Sequence, residues 1–243
     1  MSGGLSGKRV VVIGGSSGIG FAIAAGALAD GAEVVVGSST PQNVEAAVGR
    51  LGDGASGHAV NVREEADVGA FFERAGAFDH LAFTAGDWGG RGAREIGDTD
   101  LGQAAHLFDV RFWGALAAIK HGAKAIREGG SITLTNGMIA HRPRKGTPIS
   151  TAMAGAIEHL VRGLAVDLAP IRVNAVCPGL IHTEVWTSIP EEGRAARFAE
   201  MTSRQLVARI GEPREVAEAY LYLMRGGYTT GQVLHVDGGT SVI

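Results

Sequence analysis

The feature that most restricts the fold is a buried strand that runs straight into a glycine-rich turn. Val10-Val11-Val12-Ile13 is an uninterrupted apolar run, the pattern of a strand covered on both faces. It leads without a spacer into Gly14-Gly15-Ser16-Ser17-Gly18-Ile19-Gly20, and from there into helical apolar spacing through Ile19, Ile23, Ala27 and Leu28 that stops at Gly31. Glycines at such a junction permit a tight turn and let backbone N–H groups and the helix N-terminus face a diphosphate. A plain strand-to-helix turn is the alternative. The position of the loop, after a buried N-terminal strand in a full βα series, favours phosphate binding.

That series continues to the end of the chain. The apolar pattern predicts strands at 10–13, 34–36, 81–83, 131–135, 171–176 and 232–236, with a further short one ending at Val60-Asn61-Val62. Helical spacing predicts helices over 18–30, 43–51, 64–74, 99–127, 150–168, 191–205 and 213–225. Buried strands alternating with helices imply a three-layer Rossmann-type α/β sandwich. Its seven-stranded parallel sheet carries helices on both faces, joined by right-handed crossovers. No linker, low-complexity tract or solenoid repeat interrupts the pattern, so residues 1–243 are expected to form one dinucleotide-binding domain.

Composition narrows the partners. The 38 glycines among 243 residues are far above the usual share of about 7%, and their scatter points to tight turns and close packing. A net charge of −3 gives no reason to expect nucleic acid or an anionic membrane. Cys177 stands alone, which rules out an internal disulfide and suits a reducing compartment. Residues 1–8 lack the apolar stretch of a leader and no segment is long and apolar enough to span a bilayer, so a cytoplasmic location is expected. The eight histidines show no ligand spacing, and no metal is expected.

The glycine spacing is G-x-x-x-G-x-G, not the G-x-G-x-x-G of most dinucleotide folds. Together with Val173-Asn174-Ala175-Val176-Cys177-Pro178-Gly179 and Gly231-Gln232-Val233-Leu234-His235-Val236-Asp237-Gly238-Gly239, it resembles the short-chain dehydrogenase/reductase family over essentially the whole chain. The resemblance implies a nicotinamide cofactor held by Gly14, Ser16, Ser17, Gly18, Ile19 and Gly20. It also implies Thr84, Ala85 and Gly86 beside the adenosine ribose, and Asn61 and Val62 at the adenine. Pro178, Gly179, Ile181 and Thr183 would then meet the nicotinamide carboxamide. Family members usually assemble as dimers or tetramers, so a homodimer or homotetramer is expected.

The second strand ends in Gly37-Ser38-Ser39-Thr40, with no carboxylate to bind ribose hydroxyls and repel a 2′-phosphate. Ser38 and Ser39 therefore point to NADP, with NAD possible. The arginine many NADP-using relatives carry here is missing, and a polar turn without a phosphate role is the alternative.

The resemblance further implies a Ser-Tyr-Lys-Asn catalytic set, in which a lysine ammonium lowers the pKa of the tyrosine acid/base. In this chain those positions fall on Gly137, Ser150, Ala154 and Arg111. The three tyrosines, Tyr220, Tyr222 and Tyr228, all lie near the C-terminus, and no lysine follows Lys145, so no shift of register restores a Tyr-x-x-x-Lys pair. A serine hydroxyl is too short and too weakly acidic to replace a tuned phenol. Arg111 and His141 remain as weak catalytic candidates, the first a permanent cation and the second an imidazole in a loop expected to line the pocket. Asp87, Trp88 and Trp186 are possible wall residues, and 182–209 is expected to cover the substrate.

The function expected is an NADP(H)-binding oxidoreductase acting on an unknown carbonyl/alcohol pair with a non-standard proton donor. The alternatives are a redox-neutral enzyme using the same pocket, and a non-catalytic nucleotide sensor or supporting subunit.

Overall fold

Runs of branched apolar residues with no polar face leave water only by pairing side by side beneath helices. A computed structural model describes residues 4–86, 94–188 and 190–243. Its strands are β1 (Arg9–Ile13), β2 (Glu33–Ser38), β3 (Ala55–Ala59), β4 (Phe78–Phe83), β5 (Ile126–Thr135), β6 (Arg172–Pro178) and β7 (Val233–Val236). They form one parallel sheet in the order β3-β2-β1-β4-β5-β6-β7. The helices are α1 (Gly18–Ala29), α2 (Pro41–Leu51), α3 (Glu65–Ala75), α4 (Leu101–Ala105), α5 (Ala115–Gly122), α6 (Pro148–Asp167), α7 (Arg194–Thr202) and α8 (Pro213–Arg225). Among the described residues no helix is long and apolar enough to cross a membrane.

The two-residue period of the strands divides the core. Val10, Val12, Val34 and Val36 pack with Ile23 of α1 and with Tyr220 and Leu223 of α8. Val11, Ile13 and Val35 point the other way, onto Phe71 of α3, Ile119 of α5 and Ile157 of α6. The strand order reverses at β1, between β2 and β4. In an open parallel sheet the crevice beyond the strands' carboxyl ends at that reversal is where ligands bind.

Two predicted elements differ from the structure. The third strand stops at Ala59 rather than running through Val62. Val60 N–H still donates to Ser38 O at 2.8 Å, but Asn61 then turns the chain, its Oδ1 accepting from Arg63 N–H at 3.2 Å. The side chain competes with the ladder for backbone partners and ends it.

The predicted helix over 99–127 is broken into α4, a 3₁₀ turn (His106–Phe108), a π-helical turn (Asp109–Gly114), α5 and a second 3₁₀ turn (Ala123–Ala125), and β5 begins at Ile126. The π turn fits close packing that a straight helix would not meet. A Cβ on Gly114 would lie 3.0 Å from Val62, and Arg111 is drawn inward until it is 5% exposed.

Some polar groups are built into this core. Arg172 donates to Leu223 O at 2.6 Å and to Met224 O at 3.2 Å, closing the carbonyl end of α8 with a cation. His80 of β4 meets Ser131 Oγ of β5 at 2.9 Å, and burial pushes its pKa down to about 4. In the unfolded chain an ordinary histidine, near 6.5, takes up the proton first as pH falls. Stability from this site is therefore complete above pH 6.5 and declines toward pH 4, by about 3 kcal/mol. Urea denaturation at pH 7 and pH 4.5 measures the decline. His80→Asn is expected to flatten it, and an unchanged slope in that variant would count against this assignment.

Candidate functional site

A cleft of about 730 Å3 opens at the carboxyl ends of β1, β2 and β4. Every position expected from the sequence to hold a dinucleotide lines it, from Gly14 through Ser38, Asn61 and Thr84 to Pro178 and Thr183, and Arg111 lines it too. Gly137, Ser150, Ala154 and His141 do not. Residues the sequence did not single out are Val60, Arg63, Val110, Thr135, Leu180, Glu184 and Val185.

The floor is the loop between β1 and α1. Gly14 has φ +88°, and a Cβ there would lie 2.5 Å from Ala85 N. A Cβ on Gly20 would run into Gly14 O and stand 2.5 Å from Thr84 Oγ1. Thr84 donates to Ile13 O at 3.1 Å, fixing the end of β4 against this turn. Ser17 starts α1 without capping it through its side chain, and no acidic residue occupies the first turn. The positive end of α1 faces the cleft, with the Glu184 carboxylate of the segment after β6 close to Gly18 at that end.

At the end of β2, Ser38 is buried, and its Oγ lies 2.8 Å from Ser16 Oγ. Arg63 enters the lining just after the end of β3, which pairs with β2 at Ser38↔Ala59. Its position 25 residues along the chain hid it from a reading focused on the β2 turn.

Arg111 also enters the lining, its guanidinium packed so close to Gly86 that an added Cβ there would lie 2.6 Å from Arg111 Cζ. Beneath it, the Tyr220 hydroxyl meets Thr135 Oγ1 at 2.6 Å, and Thr135 donates to Phe83 O at 2.7 Å. Tyr220 is fully buried, and burial raises its pKa above the usual phenol range, so it is a packed anchor for α8 and not an acid in the cleft. Among the described residues lining the cleft there is no tyrosine or lysine.

Trp186 also lines the cleft. Its Nε1–H donates to Ile181 O at 2.7 Å and its ring stands 5.6 Å from that of Phe198 on α7, so the 182–209 segment supplies part of the wall. Asp87 and Trp88 lie outside the described residues.

His141, expected in the pocket loop, is not among the residues lining the cleft. Its Nε2 is 2.6 Å from Glu158 Oε1 and 3.1 Å from His235 Nε2. Ser150 and Ala154 sit on α6, Ala154 buried within the core, and Gly137 follows the end of β5. No metal-ligand spacing is visible along the chain, yet the fold gathers His141, Cys177 and His235 into one group.

The profile of a family described as enoyl-(acyl carrier protein) reductase matches residues 13–241. Short-chain dehydrogenase/reductase fsr5 of Gibberella fujikuroi is 35% identical, with 97% of this chain and 95% of that protein covered. The solved MalC reductase/Diels-Alderase of Malbranchea aurantiaca superposes with a TM-score of 0.90 at 30% identity, covering 98% of each chain. An NADPH-bound short-chain oxidoreductase of Pseudomonas aeruginosa PAO1, described as containing an atypical catalytic center, gives a TM-score of 0.88 at 26% identity over 97% of each chain.

Proposed function

The chain belongs to the short-chain dehydrogenase/reductase family of oxidoreductases, and on that premise we propose that it binds NADPH and reduces a carbonyl compound without the family's tyrosine–lysine pair. The observation that carries this reading is a buried guanidinium, Arg111, lining the same cleft as the uncapped N-terminus of α1.

The lining residues fit the cofactor. Residues 14–20 and the first-turn amides of α1 would receive the diphosphate, Thr84, Ala85 and Gly86 the adenosine ribose, and Asn61 and Val62 the adenine. Pro178, Gly179, Ile181 and Thr183 would take the nicotinamide end. Ser38, Ser39 and the Arg63 guanidinium would take a 2′-phosphate, a group that a carboxylate at this turn would repel. The NADPH-bound Pseudomonas relative supports that choice.

When bound, NADPH supplies a hydride from its nicotinamide ring. Arg111 would donate hydrogen bonds to the substrate carbonyl oxygen and hold the negative charge that develops there as the C=O electron pair moves onto oxygen. Arginine keeps its proton, so the alkoxide would take one from water. Gly137, Ser150 and Ala154 would play no part in that transfer. The relative with an atypical catalytic center supports such a departure.

Fluorescence titration with NADPH, followed by absorbance with a panel of ketones, diketones and imines, tests the reading. Tight NADPH binding with turnover of some members is expected. Binding without oxidation across the panel would favour a sensor or supporting subunit, and no binding would end the redox reading. Within the same titrations, Ser38→Asp and Arg63→Ala are each expected to lower the NADPH/NADH affinity ratio at least about tenfold, the loss of one charge-assisted contact.

A redox-neutral reaction in this cleft is the second reading. It is favoured by the MalC relative, whose description joins a reductase with a Diels-Alderase. An arginine that withdraws electrons from a carbonyl serves hydride addition and cycloaddition alike.

A further inference from the structure

Behind the wall of the cleft, at the carboxyl ends of β5, β6 and β7, lies a group of donor atoms that the reaction above does not use. We propose that His141, Cys177 and His235 form a binding site for a thiophilic d10 cation, zinc or cuprous copper, with Glu158 or Met138 as the fourth donor. The site stands apart from the oxidoreductase reading and survives or fails independently of it.

The ligand atoms of the three residues all lie within 4.8 Å of one another. His141 Nε2 and His235 Nε2 are 3.1 Å apart, with ring centroids separated by 4.5 Å and planes inclined by 70°. Cys177 Sγ lies 3.6 Å from Met138 Sδ, and Glu158 Oε1 lies 2.6 Å from His141 Nε2. Around a tetrahedral zinc, ligand nitrogens stand about 3.3 Å from each other and about 3.6 Å from a thiolate sulfur. The imidazole pair is already at that spacing, and drawing in the sulfur takes a movement on the order of 1 Å.

Proton arithmetic points the same way. An imidazole nitrogen carries either one hydrogen or one lone pair. If His141 Nε2 is protonated, it donates to Glu158, and His235 can only share that hydrogen. If it is bare, it accepts from His235 but presents its lone pair to a carboxylate at 2.6 Å. Only a His141 hydrogen shared between Glu158 and a bare His235 nitrogen serves both contacts, and a cation between the imidazoles would take its place.

The donor set selects the metal. Thiol, thioether and imidazole favour zinc and cuprous ions over magnesium or calcium, which take oxygen ligands. Binding at Cys177 would displace its thiol proton, because the thiolate is the ligand form. The site would hold the segment after β5 to the ends of β6 and β7. Pro178 and Gly179, the next residues after Cys177, line the cleft, so an occupied site would brace the cleft wall.

The test uses the full chain, freed of metal by dialysis against a chelator. Co2+ serves as a spectroscopic probe, Zn2+ is titrated against a chromophoric chelator, and Cu+ is titrated anaerobically against a cuprous chelator. One equivalent per chain is expected, with a dissociation constant below about 1 µM for Zn2+ or Cu+ and a thiolate-to-cobalt charge-transfer band. The tighter of the two arms identifies the cation. His235→Ala alters an exposed residue on β7, so it is expected to fold and to weaken binding at least about 100-fold, the loss of one ligand. Cys177→Ser is expected to remove the charge-transfer band. Failure of both cations to bind stoichiometrically would overturn the site, as would binding indifferent to His235→Ala.

Discussion

The Arg111→Ala enzyme is expected to bind NADPH with near wild-type affinity and to lose about 100- to 1000-fold in kcat, the cost of removing one donor aimed at a developing oxyanion. The separation comes from where the side chain sits. Arg111 lines the cleft against Gly86, and it is not among the nearest neighbours of Gly14, Gly18 or Gly20 in the glycine loop. Arg111→Lys keeps the charge without the planar fork, and is expected to recover only part of the rate. Steady-state kinetics paired with NADPH fluorescence reads both quantities. Wild-type kcat in the alanine variant would remove Arg111 from the chemistry. An equal fall in cofactor affinity and rate would make it a packing residue of the Gly86 wall.

Gly20→Ala is expected to weaken NADPH binding by about 100-fold, as two charge-assisted hydrogen bonds from the loop lose their alignment. The new methyl group would enter the space held by Gly14 O and Thr84 Oγ1. Neither neighbour is the far end of a flexible chain, so the β1–α1 turn itself must shift. Crowding in so close-packed a place costs about 1–3 kcal/mol, seen as a fall of several degrees in Tm. Gly49→Ala is the control, since a Cβ there meets nothing within 4 Å. Unchanged affinity in Gly20→Ala would show that the loop does not hold the diphosphate.

Much of this was legible along the chain because it depends on local pattern. The valine runs declared buried strands, and their alternation with helices required a parallel sheet; that its order reverses beside the glycine loop is seen in the fold. The cleft positions were legible through the family resemblance, and the loops after β1, β2, β3, β4 and β6 bring them together at the carboxyl ends of the strands.

Contacts between distant segments set the features that escaped. The helix pattern over 99–127 is real, but Gly114 against Val62 and Arg111 against Gly86 bend it in ways no periodicity records. Arg63 was missed because the pairing of β3 with β2 brings it into the same cleft as Ser38 from 25 residues along the chain. His141 was expected to face the substrate because its loop comes after β5; in the structure it pairs with Glu158, from the middle of α6, and does not line the cleft. The His141–Cys177–His235 group has no spacing signal at all, since three different strand ends bring it together.

The π turn at Asp109–Gly114 also bears on how this cleft could change. Such a turn is an α-helix carrying a surplus residue, and removing it would rotate the stretch before the turn by about 100° relative to α5. Val110 or Phe112 would then be presented where the guanidinium now stands. The residue presented at this point of the cleft is therefore set by chain length as well as by residue type, and a one-codon deletion would exchange it as directly as a point change.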